Sequence, residues 1–427
     1  MVNRPALMVA APSSGSGKTT VTAALAAFHR RRGLRVKVFK CGPDFIDPQL
    51  LEAASGAPVD NLDLWLAGEA LCREMLAAAA AEYDLILVEA VMGLFDGAPS
   101  AADLAIRFDL PVLAIIDASS MAQTFGTLAF GLAHYRPGLR FHGVLANRVA
   151  GERHAQMLAE SVPAAHWQGW LPRGQAWPER HLGLALPDEI ANLPARLDSL
   201  ANQIGTQPAA ALPPAIDFCA PPPAPLPRLL IGKRIAIARD AAFAFIYPAN
   251  LDCLASLGAE LVFFSPLAHE PLPDADALWL PGGYPELHLA ALAGHPSIRS
   301  DLQDWLAAGK PMLAECGGML ALCETLAARD GDEATLWQIL PATATLQPHL
   351  AALGLQSADL GAGILRGHTF HYSTLATRLE PIAHATPCRH GSAGEAIYRI
   401  GSLTASYVHF WFASNPQATA ALFGAKL

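Results

Sequence analysis

No stretch of this 427-residue chain reads as a membrane span, because Pro, Gly or a charged residue interrupts every apolar run before it could cross a bilayer. The N-terminus lacks a basic region followed by a long apolar core, so no export signal is expected. Basic clusters are scarce. Arg30-Arg31-Arg32 reads as the solvated end of the first helix. The net charge of −9 argues against a nucleic-acid partner, since neutralising phosphates takes clustered Lys and Arg. The seven cysteines (41, 72, 219, 253, 316, 323, 388) include no CxxC pair, which excludes an obvious disulfide framework or zinc site. With 52% hydrophobic and 16% charged residues, the expectation is a soluble, reduced, cytoplasmic protein of more than one domain.

What is present begins with the apolar run Leu7 to Ala11, which leads into Pro12-Ser13-Ser14-Gly15-Ser16-Gly17-Lys18-Thr19-Thr20 and a helix-like Val21 to Phe28. Strand, small-residue loop, Gly-Lys-Thr and helix make a phosphate loop. Its small residues let backbone N–H groups close on phosphate oxygens, and the helix N-terminus adds its positive end. Ser14, Gly15, Gly17, Lys18, Thr19 and Thr20 are the expected nucleotide contacts, with Lys18 on the outer phosphates and the Thr19 hydroxyl on Mg²⁺. Pro12 stands where the usual pattern opens with Gly.

A second strand, Val36 to Lys40, runs into the turn-rich Cys41 to Pro48 with Asp44 and Asp47. Ligands of open α/β sheets sit beyond the C-terminal strand ends. These aspartates are therefore candidates for Mg²⁺ or substrate, with turn chemistry the alternative. Leu85 to Glu89 reads as a buried strand ending in a metal-side acid, and Met92 to Gly97 adds Asp96. Val112 to Ile116 and Gly143 to Asn147 are further strands. Asn147 is placed either to read a purine or to serve a turn. Strands alternating with helices imply a parallel sheet covered on both faces. The stretch 205–228 thins into Ala and Pro, so a stiff linker is placed there between an ATP-binding domain (1–204) and a second domain (229–427).

A fresh α/β pattern starts at Ile235 to Ala238, with a helix from Pro248 to Leu257 and strands at Glu260 to Phe264 and Ala277 to Leu280. Gly282 and Gly283 follow the last of these, which suits backbone donors of an oxyanion site. Pro311 to Ala314 is another strand, ending in Glu315-Cys316-Gly317-Gly318 and a helix to about Ala328. A nucleophile between strand and helix, flanked by Gly, is an elbow, and the helix N-terminus is expected to lower the Cys316 thiol pKa. A thiolate nucleophile wants a base from elsewhere in the chain. His409, ending the strand-like Leu403 to Val408, is the best placed. His368 and His371, in Gly367 to Ser373, read as a loop shaping the pocket.

Together these segments resemble the cobyrinic acid a,c-diamide synthase family, glutamine-dependent amidotransferases of corrin biosynthesis. The resemblance runs through the phosphate loop, Lys40 to Pro48, Glu89 to Gly97, Ala238 to Phe243, Leu280 to Glu286, Glu315 to Met319, Gly367 to Ser373 and Tyr407 to Phe410. It implies a P-loop parallel-sheet domain similar to dethiobiotin synthetase, then a class I glutaminase-like α/β domain. It further implies that Cys316 attacks glutamine, that His409 serves as its base, and that Gly282 and Gly283 hold the oxyanion. Thr19, Asp44 and Glu89 would hold Mg²⁺ around ATP. Asp44, Asp47 and Asp96 would attend the substrate carboxylate. Such families usually carry Glu two residues after the histidine; here that residue is Trp411. Cobyric acid synthase, a nickel-sirohydrochlorin enzyme and a P-loop switch ATPase are the rival readings. The implied partners are corrinoid acid, glutamine and ATP, with no membrane and with a homodimer left open.

Overall fold

The computed structural model describes residues 1–174, 177, 179–180, 183–184, 186–222, 225–389 and 394–426. The chain forms two compact units, residues 1–223 and 224–427. Among the described residues no helix is long and apolar enough to cross a membrane, and the seven cysteines are free.

The first unit is organised by β1 (Val2–Ala10). Residues 6–11 are buried throughout, because the strand is covered on both faces. Alternate residues therefore enter two cores: Ala6, Met8 and Ala10 one, Leu7, Val9 and Ala11 the other. Around it lie α1 (Lys18–Arg31), β2 (Val36–Cys41), α2 (Asp47–Ser55), β3 (Asp60–Leu62), α3 (Gly68–Glu82) and β4 (Leu85–Glu89). Then follow α4 (Ala101–Arg107), β5 (Val112–Asp117), α5 (Thr124–His134), β6 (Phe141–Val149), α6 (Glu152–Ala159), β7 (Trp167–Pro172) and α7 (Leu193–Ile204). The strands lie side by side as β3-β2-β4-β1-β5-β6-β7 and run parallel. That is the expected class. All their C-terminal ends consequently share one edge, where the phosphate loop sits. Arg30, Arg31 and Arg32 close α1 as exposed residues, complementing its negative end.

The Ala/Pro-rich stretch 205–228 is only in part a connection. Pro208–Ala210 forms a 3₁₀ turn, and Ala215–Phe218 is a strand antiparallel to the start of β1, with Val2 opposite Phe218 and Pro5 opposite Ala215. Ile216 and Phe218 point inward between exposed Ala215 and Asp217. This two-residue period is short, and the surrounding prolines conceal it. The first unit thus runs past 204.

The second unit centres on a sheet in which Glu260–Phe264, Arg234–Ala238, Ala277–Leu280, Met312–Glu315 and Leu403–Ser406 lie in that order, parallel. Ala396–Ile400 and Ala383–His384 extend it antiparallel. Two expectations need correction. The helix after Cys316 is only Gly317–Ala321, and Cys323–Ala327 is a strand paired with Leu340–Leu346. The segment Gly367 to Ser373 is mostly strand: Ile364–His371 pairs antiparallel with Ala352–Asp359 on one side and His409–Trp411 on the other. His409 therefore opens a strand of a separate sheet instead of ending the Leu403–Ser406 strand.

Candidate functional site

The first site occupies a cleft of about 700 Å³ at the C-terminal edge of the parallel sheet, lined by Ser14, Gly15, Gly17, Lys18, Thr19 and Thr20 of the phosphate loop. Gly17 sits at φ 98°, and a Cβ there would lie 2.1 Å from Asn147 Nδ2. Only glycine allows this approach. Asn147 lines the cleft and donates to the Ser16 carbonyl at 2.9 Å, so its amide braces the loop. Lys18 is nearly buried, and its ammonium donates to the carbonyls of Met92 (2.6 Å) and Ser13 (3.1 Å). Burial, then the charge of Lys40, lowers its pKa.

Lys40 is the residue that sequence reasoning missed. It lies in β2, where every residue is buried, and its ammonium donates to Asp47 Oδ2 (2.5 Å) and Glu89 Oε1 (2.7 Å), with Asp44 at 3.5 Å. The available signal was a lysine inside an otherwise apolar buried run, which requires a partner. Burial opposes the ammonium, but the carboxylates of Glu89 and Asp47 overcome it and hold its pKa well above the ordinary value. Burial raises the Glu89 carboxyl against the pull of Lys40. Asp47 is lowered: burial acts upward and Lys40 outweighs it. Asp44 is pushed up to about 7, by burial first and Asp47 next.

Thr19 donates to Glu89 Oε1 at 2.8 Å and reaches Asp47 at 3.4 Å. Thr19, Asp47, Glu89 and Asp44 are therefore gathered as the sequence suggested. Asp44 also serves a turn, accepting from the backbone of Ile46 and Asp47. Asp96 is absent from the cleft lining, and its carboxylate accepts from Gly93 N–H at 2.9 Å, a turn role. Among the described residues no three His, Cys, Asp or Glu side chains enclose a metal unaided. Mg²⁺ does not require that, since it takes one or two protein oxygens and completes its shell with water and phosphate. The hard-oxygen set fits, and Glu89 Oε2 is buried with no hydrogen-bond partner among the described residues.

The second site is built where the Met312–Glu315 strand ends. Cys316 stands at φ 43°, ψ −110°, the strained geometry of an elbow. Its N–H donates to the Ser406 carbonyl at 2.8 Å. Three glycines permit the crowding around it. A Cβ on Gly282 would lie 2.2 Å from His409 Cε1, one on Gly317 would lie 2.7 Å from Gly283 N, and one on Gly318 would meet the Leu280 carbonyl at 2.1 Å. These contacts bring Gly282, Gly283, the Cys316 elbow and His409 together.

The base strand is fixed through its backbone. Glu315 Oε1 accepts from Phe410 N–H (2.9 Å) and Oε2 from the Trp279 indole (3.0 Å). Asn250 donates to the Phe410 carbonyl and accepts from Phe412 N–H, both at 2.8 Å. Trp411 is fully buried against Tyr247, filling core where a carboxylate was the family expectation. Burial pushes the Cys316 thiol up, contrary to the expected lowering, and the charge of Glu286 adds to it. Burial also pulls His409 down to about 3, aided by the charges of His368 and His371. The resting pair is thiol and neutral imidazole.

A phosphate-loop unit joined to a cysteine-elbow unit defines a class: a nucleotide-binding domain coupled to a glutamine amidotransferase domain, the makings of a glutamine-dependent ligase. Two family descriptions match accordingly, the CobQ/CobB/MinD/ParA nucleotide binding domain over residues 7–171 and the CobB/CobQ-like glutamine amidotransferase domain over residues 234–417. The chain is 56% identical to the hydrogenobyrinate a,c-diamide synthase of Pseudomonas aeruginosa, covering 98% of this chain and 97% of that one. It is 56% identical to the Stutzerimonas stutzeri enzyme of the same name, over 98% of each. It is 48% identical to the cobyrinate a,c-diamide synthase of Herminiimonas arsenicoxydans, over 99% and 97%. The chain belongs to the hydrogenobyrinate/cobyrinate a,c-diamide synthase family.

Proposed function

We propose that the protein uses ATP and glutamine to amidate the a and c carboxylates of hydrogenobyrinate, the substrate named in two relatives at 56% identity. A carboxylate is a poor electrophile at neutral pH, so the ring carboxylate must first take a phosphoryl group from ATP. Lys18 and the loop amides bind the phosphates, while Lys40 and the carboxylates of Asp47 and Glu89 order the facing wall of the cleft. Mg²⁺, held by Thr19, Glu89 and Asp44, would neutralise phosphate charge. The ring carboxylate attacks the γ-phosphorus, ADP leaves, and ammonia then displaces phosphate to give the amide.

Ammonia comes from the second unit. His409 takes the Cys316 proton as sulfur attacks the glutamine amide carbon, and the N–H groups around Gly283 and Gly317 receive the oxyanion. The C–N bond breaks as His409 returns the proton to nitrogen, and water cleaves the thioester to glutamate.

The observation that carries the reading is the gathering of Cys316, His409, Gly282 and Gly283 at one elbow in a chain that also holds a complete phosphate loop. Its test is mass gain on hydrogenobyrinate with Cys316→Ala beside wild type. The variant should lose glutamine-dependent product and keep ammonia-dependent product. Glutamine use undiminished in C316A would overturn the assignment of the second unit. Cobyrinate as parallel substrate reads the ring preference.

A further inference from the structure

His371, of the Gly367 to Ser373 segment, and Glu395 form a largely buried pair that the reaction above does not use. Both ring nitrogens of His371 face acceptors: Nδ1 the Ser373 carbonyl at 2.8 Å, Nε2 the Glu395 Oε1 at 2.9 Å. The ring is thereby held at both nitrogens, by the Ser373 carbonyl and the Glu395 carboxyl group. The carboxylate is itself fixed, accepting from Thr369 Oγ1 at 3.0 Å while the Glu395 N–H donates to Gln356. The His371 ring stacks on Tyr407 at 3.6 Å, nearly parallel, and the Tyr407 phenol accepts from Ser373 Oγ at 2.9 Å. This closes a ring of contacts around Tyr407, two residues before His409. The cluster adjoins the elbow: the charge of Glu395 bears on the Cys316 thiol, and that of His371 on His409.

We propose that Glu395 and His371 are positioning residues of the glutaminase step, supplying from neighbouring strands the support that Trp411 cannot give. The proposal rests on the Cys316–His409 reading. A base works when a third group orients it. Here the orienting element is Tyr407, clamped by the His371 ring and Ser373, which fixes the segment that delivers His409.

The test uses the full-length enzyme with E395Q and the milder T369V, which removes only the hydroxyl bond to Glu395. Glutamate release and ammonia-dependent amidation are measured on the same preparations. E395Q is expected to lower the glutamine-dependent kcat about 10- to 100-fold, up to the penalty of an ångström-scale misplacement of a reacting group, with KM for glutamine changed less than about threefold. T369V should lower kcat to a smaller extent, and ammonia-dependent rates of both should stay within about twofold of wild type. A glutamine-dependent kcat within twofold of wild type in E395Q overturns the proposal. So does a loss confined to KM, which would make the pair a recognition element. If E395Q also loses its ammonia-dependent rate, T369V decides by the same criteria. C316A run alongside reports separately on the underlying reading, because glutamine use in that variant would fail it whatever E395Q does.

Discussion

At Gly282 a single missing methyl group decides whether the base can sit where it does. A Cβ would stand 2.2 Å from His409 Cε1, and the imidazole, fully buried, has nowhere to retreat. Gly282→Ala is expected to cost roughly 100-fold or more in glutamine-dependent kcat, the penalty of an ångström-scale misplacement of a reacting group. Ammonia-dependent amidation should be spared, and comparing the two rates checks it. Lys40 makes the complementary case. Replacing it by Met leaves Asp47 and Glu89 facing each other without their cation, so Lys40→Met should lose about 100-fold or more of ammonia-dependent amidation. Glutamate release should continue in that variant, and parallel assays of both half-reactions separate the outcomes. Lys18, Thr19, Glu89 and Cys316 were legible as candidates because each sits in a local pattern of strand, turn and small residues; His409 was singled out at the end of Leu403 to Val408, though it opens a separate strand. Lys40 was not: it looks like an ordinary strand residue until Asp47 and Glu89, 7 and 49 positions away, close on it. Asp96 read as functional because acidic loop residues near a phosphate loop invite that reading; its carboxylate accepts from Gly93 N–H and its charge bears on Lys18.

At the scale of elements, the strand His409–Trp411 is held by its pairing with Ile364–His371 and by two buried side chains from elsewhere, Glu315 and Asn250. Asn250 satisfies one carbonyl and one N–H of that segment, at Phe410 and Phe412. Asn250→Ala would strand both in a dry interior, at a cost on the order of 3 kcal/mol. Chemical denaturation of the second unit's transition should register that loss at constant m-value. Sequence reading handled the parallel strands well: Leu85 to Glu89 and Ala277 to Leu280 are continuous buried runs with their observed bounds, and Glu260 to Phe264, an edge strand buried only at Phe264, has its observed bounds too. It failed on antiparallel ones. Gly367 to Ser373 is rich in histidine and glycine and passes for a loop; its strand character comes from pairing with partners on both sides. Cys323–Ala327 was absorbed into a helix because its partners, Glu333–Thr335 antiparallel and Leu340–Leu346 parallel, lie beyond any local window.

For the whole molecule, buried histidines set the acid limit. Burial holds His29 at about 4, His368 at about 3 and His409 at about 3. These values lie below the ordinary 6.5, so the unfolded chain binds protons first. The stability they permit is whole above about pH 6.5 and declines as pH falls toward 4. Glu315 works from the other side: burial raises its carboxyl to about 8, so its contribution is whole below about pH 4.5 and is lost as pH climbs through 8. The expected result is a Tm that is highest near neutrality and falls several degrees by pH 5. His29→Leu should flatten the acid slope of the first unit, while Glu315→Gln should flatten the alkaline slope of the second. Thermal scans from pH 4.5 to 9 check both.

The strand Ala215–Phe218 has a practical consequence for anyone wishing to study the nucleotide half by itself. Cutting the gene after residue 204, where the helical pattern stops, would strip Val2–Pro5 of that partner and leave an unpaired edge that invites chains to stick together. Cutting after 222 keeps the edge covered. The difference should show as aggregate against monomer on a sizing column.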